Sequence, residues 1–272
     1  MLARVPDTVA GHLDVPYREG GNIRWTLDLF VPKAKSEAPR PVIIFVHGGG
    51  WRNGSKRTGV FFNAAMDYAE KGYVTATINY RLTGDAPFPA CIEDVKCAVR
   101  WIRANAQTYN AAPSRIGGFG ISAGAHLVSM LGLAGPEAKL EGDGPNQDQS
   151  SLIQAVYACA TPTDFALFGP DLGADSKWAE SGYDPAELVR LSSPITHVNP
   201  EAPPFLLVHG TADKTVHVKH GDTFVEALKA AGAKDVTYLR IEGAGHGVHN
   251  QQSAKTLPAM EAFFERVLRT ES

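Results

Sequence analysis

The chain has 272 residues, of which 44% are hydrophobic and 20% are charged, and its formal net charge is −3. This is the composition of an ordinary globular protein that is long enough to bury one complete α/β core. The small negative charge and the lack of a long basic segment argue against nucleic acid or an anionic membrane as the main partner.

The N-terminal segment, residues 1–20, carries charges and prolines but no apolar core of signal-peptide length. No segment approaches the length needed to span a bilayer. We therefore expect a cytoplasmic protein, with secretion followed by removal of a leader as the alternative.

The three cysteines are predicted to be small buried side chains and not disulfide partners. Cys91 and Cys97 fall on one predicted helix, where six residues separate them by about 9 Å along the axis. This exceeds the limit of roughly 7 Å between the Cα atoms of a disulfide. Cys159 lies in an apolar, strand-like segment. Free thiols fit a reducing compartment.

Strand-like and helix-like segments alternate along the chain. Residues 23–31 alternate apolar and polar side chains, which predicts an early antiparallel strand with one face formed by Ile23, Trp25, Leu27, Leu29 and Val31. The later strands are predicted over 41–46, 73–79, 115–119, 152–160, 204–208 and 236–241. The helices are predicted over 61–71, 92–102, 123–133, 219–231 and 254–268, the last with Leu257, Met260, Phe264 and Leu268 inward. Continuous apolar strands of this kind indicate a mostly parallel sheet with helices on both faces, in a single domain spanning residues 1–272.

Residues 165–195 interrupt this alternation with about thirty residues that carry several aromatic side chains. Inserts of this length are often lids or binding loops, although their aromatic residues can equally serve to fold the insert onto the core. We predict a short cap insertion here, with Phe165 and Trp178 as candidate residues of a substrate pocket.

Gly120-Ile121-Ser122-Ala123-Gly124 joins the predicted strand 115–119 to the predicted helix 123–133. A G-x-S-x-G sequence in this setting predicts a nucleophile elbow, in which Ser122 adopts strained backbone angles at the carboxyl edge of the sheet. The amide of Ala123, at a helix N-terminus, would face any negative charge that develops nearby. The alternative is a glycine-rich turn that holds an ordinary serine.

A second glycine motif, His47-Gly48-Gly49-Gly50-Trp51, directly follows the predicted strand 41–46. Its glycines would let backbone amides approach a ligand without interference from side chains. We predict that Gly49 and Gly50 donate N–H groups to an oxyanion hole and that Trp51 walls the site. The alternative is a flexible loop at the end of the strand, but this would not explain why a second glycine motif of matching type occurs at Ser122.

Ser122, Asp213 and His246 each fall just after a predicted strand, and such loops converge at one edge of an open α/β sheet. A serine hydroxyl needs a base within hydrogen-bond reach, and that base needs a group that fixes its tautomer. The sequence therefore predicts a triad of Ser122, His246 and Asp213. Asp164 and His249 are the rival acid and base, and the Gly245-His246-Gly247 setting favours His246.

These motifs resemble the α/β-hydrolase superfamily, and more closely its hormone-sensitive-lipase-like branch. The matching stretches cover roughly residue 25 to the end and are His47-Gly-Gly-Gly-Trp51, Asn79-Tyr-Arg-Leu82 with Pro87-Phe-Pro-Ala90, Gly120-Ile-Ser-Ala-Gly124, His209-Gly-x-x-Asp213 and Gly245-His246. In detail the chain looks like compact bacterial carboxylesterases related to feruloyl and acetyl-xylan esterases, and it lacks the long N-terminal helical cap of larger branch members. The resemblance favours Asp213 over Asp164, because His209-Gly210 precedes it. It also implies an α/β-hydrolase fold and a carboxylic-ester hydrolase that needs no cofactor and no metal.

Three functions are weighed on this basis. The first is a serine carboxylesterase that acts on a small-molecule ester with a short-chain, acetyl or hydroxycinnamoyl group. The second is an arylformamidase or amidase, because arylformamidases share the glycine loop and the triad. The third is a non-catalytic binding protein on the same fold, which the presence of all three triad residues argues against.

Overall fold

The computed structural model of the chain describes residues 4–171 and 177–269. Within these residues one sheet holds eight strands in the order β1-β2-β4-β3-β5-β6-β7-β8. The strand β2 runs antiparallel to β1 and β4, and every other neighbouring pair is parallel. The strands are β1 Val9–Pro16, β2 Thr26–Pro32, β3 Arg40–Val46, β4 Val74–Ile78, β5 Ala111–Ile121, β6 Ala155–Cys159, β7 Phe205–Gly210 and β8 Val236–Ile241.

The α-helices of the described residues are α1 Phe61–Glu70, α2 Ala90–Ala104, α3 Ala123–Leu133, α4 Pro185–Ser192, α5 Lys219–Ala230, α6 Val248–Gln251 and α7 Ser253–Phe264. The chain continues from α7 into one wider turn, Glu265–Arg269. Across the described ranges, 4–171 and 177–269, no helix combines the length and the apolar character that crossing a bilayer requires.

The core has two halves, one on each face of the sheet, and the central strand β3 supplies both. On one face Val42, Ile44 and Val46 belong to the same core cluster as buried residues of α2, α3 and α5. Ile43 and Phe45 pack against α1 and α7 on the other face. All five side chains are fully buried, which explains why this strand reads as a continuous apolar segment and not as an alternating one.

The edge of the sheet departs from the sequence prediction. Ile23–Trp25 forms a short 3₁₀ turn, capped by the side chain of Asn22, and β2 begins only at Thr26. Ile23 is 62% exposed, so it does not share the buried face predicted for it. The strand β1, which was not predicted, is an edge strand with mostly exposed side chains. Its lack of an apolar pattern is the reason that the sequence did not reveal it.

The predicted inward face of the last helix is partly wrong. Met260, Phe264 and Leu268 are buried as expected, but Leu257 is 49% exposed. Thr256 takes the inward position and its hydroxyl donates a hydrogen bond of 2.7 Å to the carbonyl of His249. Thus position 256, and not 257, faces the core in the first turn of the helix, and its hydroxyl joins the helix to the end of α6.

All three cysteines are buried free thiols, as predicted. Cys91 and Cys97 both lie on α2, and Cys159 ends β6. Burial raises the pKa of the Cys91 and Cys159 thiols above its ordinary value, so both remain protonated at neutral pH.

The predicted insertion, residues 165–195, leaves and rejoins the body of the protein at one place. The amide of Ile195 donates to the carbonyl of Thr163 at 3.0 Å, and the amide of Phe165 donates to Ser193 Oγ at 2.9 Å. Its described parts are short turns and the helix α4, whose N-terminus is capped by Asp184. Residues 172–176 of the insertion lie outside the described residues.

Candidate active site

Ser122 occupies a strained turn between β5 and α3. Its backbone angles are φ 57° and ψ −123°, a conformation that L-residues rarely adopt. The turn is held by the Ser122 amide, which donates to the carbonyl of Cys159 at 2.8 Å, and by the Ser122 carbonyl, which accepts from the amide of His126 at 3.0 Å. A Cβ on Gly124 would collide with the carbonyl oxygen of Val46, so only glycine fits beside β3. These are the features of the predicted elbow.

The glycine loop that follows β3 lies directly against this elbow. A Cβ on Gly48 would be 2.7 Å from the carbonyl oxygen of Ile121. The loop then turns through three left-handed residues, with φ values of 116° at Gly49, 60° at Gly50 and 58° at Trp51. The two glycines enter this conformation without strain, whereas Trp51 needs its surroundings to hold it there.

The predicted oxyanion donors are backbone amides at this junction. Within the part of the chain that the structure describes, the amides of Gly49, Gly50 and Ala123 have no hydrogen-bond acceptor. Two of them come from the glycine loop and the third is the first amide of α3. The junction of the loop and the elbow therefore presents unused N–H donors beside Ser122.

Asp213 and His246 are brought together from the loops after β7 and β8. His246 Nδ1 lies 2.8 Å from Asp213 Oδ2. Asp213 Oδ1 accepts from the amides of Thr215 at 2.8 Å and Val216 at 2.9 Å. Burial alone would raise the pKa of Asp213, but the bonds from His246 and the two amides outweigh it and hold the pKa below its ordinary value. The carboxylate is therefore charged at neutral pH.

This contact fixes the state of the His246 imidazole. A carboxylate can only accept, so Nδ1 carries a proton, and in the neutral imidazole the lone pair is then on Nε2. The His246 side chain is 29% exposed. Among the described residues, the hydroxyl of Ser122 makes no hydrogen bond. The structure thus joins His246 to Asp213 and sets Ser122 at the same edge of the sheet, without a direct bond between Ser122 and the imidazole.

His209, the residue before the last one of β7, lies beside the carboxylate of Asp213. Its Nε2 lies 2.8 Å from the carbonyl of Val216 and 3.6 Å from Asp213 Oδ2. Burial lowers the pKa of His209, so its imidazole is neutral and donates to the carbonyl. The charge of Asp213 is therefore directed at His246 and at the two amides.

The rival acid and base are engaged elsewhere. Asp164 Oδ1 accepts from the amide of Ala166 at 2.9 Å, at the start of the insertion. His249 Nδ1 lies 3.0 Å from the hydroxyl of Tyr157, and burial lowers the pKa of His249 to about 4. Within residues 4–171 and 177–269, neither side chain has a hydrogen bond to Asp213 or to His246.

The predicted pocket residues form one aromatic cluster. The ring of Trp51 is 5.0 Å from Trp178 and 5.5 Å from Phe165, and the latter two rings stack at 4.9 Å. Phe165 and Trp178 are only 3% exposed, whereas Trp51 is half-buried. Trp51 therefore has the accessible surface of the three, and the other two support it from behind.

Sequence reasoning missed His126, which lies four residues after Ser122 on α3. Its ring is fully buried within this cluster, and its Nδ1 is 3.3 Å from the indole nitrogen of Trp51. The spacing of four residues, one helical turn, was the available signal. Phe88 was also missed; its ring lies 4.9 Å from that of Trp178.

Sequence reasoning also missed a cluster of charges that anchors the segment after the glycine loop. Lys56 and Asp28 are buried in it, and the other members are partly exposed. Lys56 Nζ contacts Asp14 Oδ1 at 2.5 Å and Asp28 Oδ1 at 3.2 Å, and the Lys56 amide donates to Asn79 Oδ1 at 2.7 Å. Arg57 makes a bidentate contact with Asp28. The cluster ties the loop to β1, β2 and the end of β4. Nothing in the local sequence marks it, because its members are far apart along the chain.

Two curated proteins of Mycobacterium tuberculosis (strain ATCC 25618 / H37Rv) are similar to this chain. Esterase LipC is 33% identical over 244 residues, which cover 87% of this chain and 60% of LipC. Esterase LipQ is 31% identical over 256 residues, which cover 92% of this chain and 60% of LipQ. The chain thus spans about three fifths of the length of these relatives.

Solved structures match over nearly the whole chain. A truncated form of a carbohydrate esterase from gut microbiota superposes with a TM-score of 0.84 at 28% identity, covering 97% of this chain and 98% of its own. Esterase 2 of Thermogutta terrifontis superposes with a TM-score of 0.79 at 26% identity, covering 96% and 93%. Other structures of that esterase are described as propionate-bound, butyrate-bound and phosphorylated by paraoxon.

The family model BD-FAE matches residues 27–228. This range contains the glycine loop, the elbow at Ser122 and the loop that carries Asp213. The eight-stranded sheet and its structural neighbours confirm the predicted α/β-hydrolase fold. The chain belongs to BD-FAE, a family of esterases with the α/β-hydrolase fold.

Proposed function

We propose that this chain hydrolyses carboxylic esters through a serine-linked acyl-enzyme. The observation that carries the proposal is the 2.8 Å contact between His246 Nδ1 and Asp213 Oδ2, at the same sheet edge as the strained Ser122. The esterases among the relatives and the structural neighbours support the same reaction class.

In the first step Ser122 Oγ attacks the carbonyl carbon of the ester. His246 Nε2 takes the hydroxyl proton, and Asp213 holds the imidazole in the required tautomer and stabilises the imidazolium. The bond between Ser122 and His246 forms when substrate binds, since catalytic hydrogen bonds are often long or absent in free enzymes.

The tetrahedral intermediate places a negative charge on the former carbonyl oxygen. The unused amides of Gly49, Gly50 and Ala123 are the donors that receive this charge. Such donors are effective because they are fixed before the reaction, and loss of one donor lowers the rate by about 100- to 1000-fold.

Collapse of the intermediate breaks the bond to the alcohol oxygen, which takes the proton from the imidazolium of His246 and leaves as the free alcohol. The acyl group stays on Ser122. Water then attacks the acyl carbonyl while His246 takes a proton from it, and the second intermediate releases the carboxylic acid and restores the serine hydroxyl.

The preferred acyl groups are short, acetyl to butanoyl, or hydroxycinnamoyl. The described parts of the insertion are short turns and one helix of eight residues, which provide no extended apolar channel. The aromatic wall at Trp51 is backed by buried rings and has little room to move. The propionate and butyrate in structures of Thermogutta terrifontis esterase 2 support the same range.

The reaction class is tested by Ser122→Ala and by an organophosphonate probe. The variant should fold normally and lose nearly all hydrolysis of nitrophenyl acetate, and mass spectrometry should find one adduct, on Ser122, in the native protein. Most of the activity persisting in the variant, or an adduct elsewhere, would overturn the serine mechanism.

The substrate range is tested by kinetics on nitrophenyl esters from acetyl to palmitoyl, on methyl ferulate and on acetylated xylan. We expect kcat/KM to fall beyond the butanoyl ester. A maximum at palmitoyl would contradict the argument from the short insertion. N-formylkynurenine belongs in the same panel, because a dominant rate on this formyl amide would reassign the chain to the arylformamidases.

A further inference from the structure

His126 has one tautomer that satisfies both of its ring nitrogens. Its Nε2 lies 2.8 Å from the carbonyl of Ser192 and its Nδ1 lies 3.3 Å from the indole nitrogen of Trp51. A carbonyl only accepts and an indole N–H only donates, so Nε2 carries the proton and Nδ1 accepts. Burial lowers the pKa of His126 to about 4, which keeps the ring neutral and its acceptor available at neutral pH.

Trp51 needs such an anchor. Its φ of 58° is left-handed, a strained conformation that a bulky residue keeps only when the surrounding structure imposes it. The Trp51 carbonyl accepts from the amide of Thr83 at 2.8 Å, which secures the main chain on one side. The indole is secured only by ring packing and by the bond to His126 among the described residues. Gly49 and Gly50 precede Trp51 directly, so a displacement of Trp51 reaches them through the main chain. The Gly49 carbonyl is also held by the amides of Arg52 and Asn53, each at 3.1 Å.

His126 also connects three separate parts of the site. It lies on α3, its ring accepts from the glycine loop, and it donates to the last residue of α4 in the insertion. A shift of any one part relative to the others would break one of these two bonds.

We propose that His126 is a positioning residue that fixes the Trp51 indole and thereby holds the amides of Gly49 and Gly50 in place for the oxyanion. The inference rests on the proposed ester hydrolysis, because that reaction is what the two amides would serve. His126 does not touch the reacting atoms; it acts through Trp51.

His220 provides a matched control. It is 2% exposed, burial lowers its pKa to about 4, and its Nδ1 accepts from the amides of Thr163 at 3.2 Å and Asp164 at 3.3 Å. It therefore secures the start of the insertion as His126 secures its end. Among the described residues, its ring has no contact with Trp51.

The experiment compares His126→Gln, His126→Asn and His220→Gln. Glutamine can still reach the Ser192 carbonyl but offers no acceptor at the Nδ1 position, whereas asparagine offers its oxygen there and is too short to reach Ser192. We expect His126→Gln to lower kcat for nitrophenyl acetate about tenfold with KM changed by less than about threefold, since the lost contribution acts in the transition state. His126→Asn should recover most of kcat, and His220→Gln should stay within about threefold of the native protein.

A double-mutant cycle with Trp51→Phe isolates the bond itself. If the bond carries the effect, His126→Gln should cause no further loss of kcat in the Trp51→Phe background. Independent, multiplying losses would overturn the proposal, as would equal losses in His126→Gln and His220→Gln.

A measurement that does not depend on turnover separates this inference from the proposed function. The indole N–H of Trp51, assigned by its absence from spectra of Trp51→Phe, should exchange slowly with solvent in the native protein and in His220→Gln. It should exchange at least about tenfold faster in His126→Gln. An unchanged exchange rate refutes the role of His126 even if ester hydrolysis is established. Absence of hydrolysis and of a Ser122 adduct in the native protein refutes the proposed function instead.

Discussion

Replacement of Asp213 by asparagine should abolish most of the activity while changing the fold very little. The oxygen of the new amide can continue to accept from the amides of Thr215 and Val216, which now bond to Oδ1 at 2.8 and 2.9 Å. The NH₂ group must then take the place of Oδ2, which lies 2.8 Å from His246 Nδ1. Two N–H groups cannot face each other at this distance.

The imidazole escapes this conflict by moving its proton to Nε2, so that Nδ1 accepts from the new amide. Nε2 then has no lone pair for the Ser122 proton, and the general base is lost. The same exchange in a serine protease triad lowers kcat by about 10⁴-fold, which corresponds to about 5 kcal/mol of transition-state stabilisation. We expect a loss of that order here.

The assay is steady-state hydrolysis of nitrophenyl acetate by Asp213→Asn and by the control Asp164→Asn, with thermal unfolding of both. Among the described residues, the Asp164 carboxylate accepts only from the amide of Ala166 at the start of the insertion, so its variant should keep kcat within about threefold. A large loss of kcat in Asp164→Asn, or retention of more than a tenth of kcat in Asp213→Asn, would refute the assignment of the acid.

Three further outcomes are expected. In urea unfolding, Gly124→Ala should lower the free energy of unfolding by at least about 3 kcal/mol, because the new Cβ would strike the Val46 carbonyl. The control Gly243→Ala should lower it by about 1 kcal/mol, because Gly243 has a left-handed φ of 71° but open space around it. Equal losses in the two variants would contradict the close approach of Gly124 to β3. The free energy of unfolding should be highest above pH 6.5 and should fall as the pH drops towards 4. In this range the unfolded chain binds protons at four histidines that stay neutral when buried in the folded protein, and each lowers the stability by at most about 1.4 kcal/mol per pH unit. A urea midpoint that does not change across this pH range would contradict their burial. These histidines, each with its pKa lowered to about 4 by burial, are His47, His126, His220 and His249. Finally, ester hydrolysis should persist in EDTA, because the oxyanion donors are backbone amides; a loss that an added divalent ion restores would argue against this site.

Much of the local architecture can be read from the sequence. The helix α3 and the strand β8 have the predicted bounds, and the remaining predicted helices and buried strands end within a few residues of those observed. Buried strands and amphipathic helices leave a periodic apolar pattern, and glycines mark the sharp turns. The G-x-S-x-G motif also locates the elbow, although only Gly120 is required by backbone close to it in sequence, that of Gly124 and Ala125. Gly124 is required by the carbonyl of Val46 on β3, which is remote in sequence.

Other features were settled only by tertiary structure. The edge strand β1 has no apolar pattern, and its pairing with β2 defines it. The family resemblance already favoured Asp213 over Asp164, but its contact with His246 across 33 residues of chain is visible only in the folded structure, as is the bond between Trp51 and His126 across 75 residues. Such contacts follow from how the strands are ordered and how the helices pack on them, and local periodicity carries no information about either. The sequence by itself therefore determined where the reactive groups lie along the chain. Only the packed structure decided which of them meet, because a hydrogen bond requires a distance of a few ångströms, and residues remote in sequence come that close only on folding.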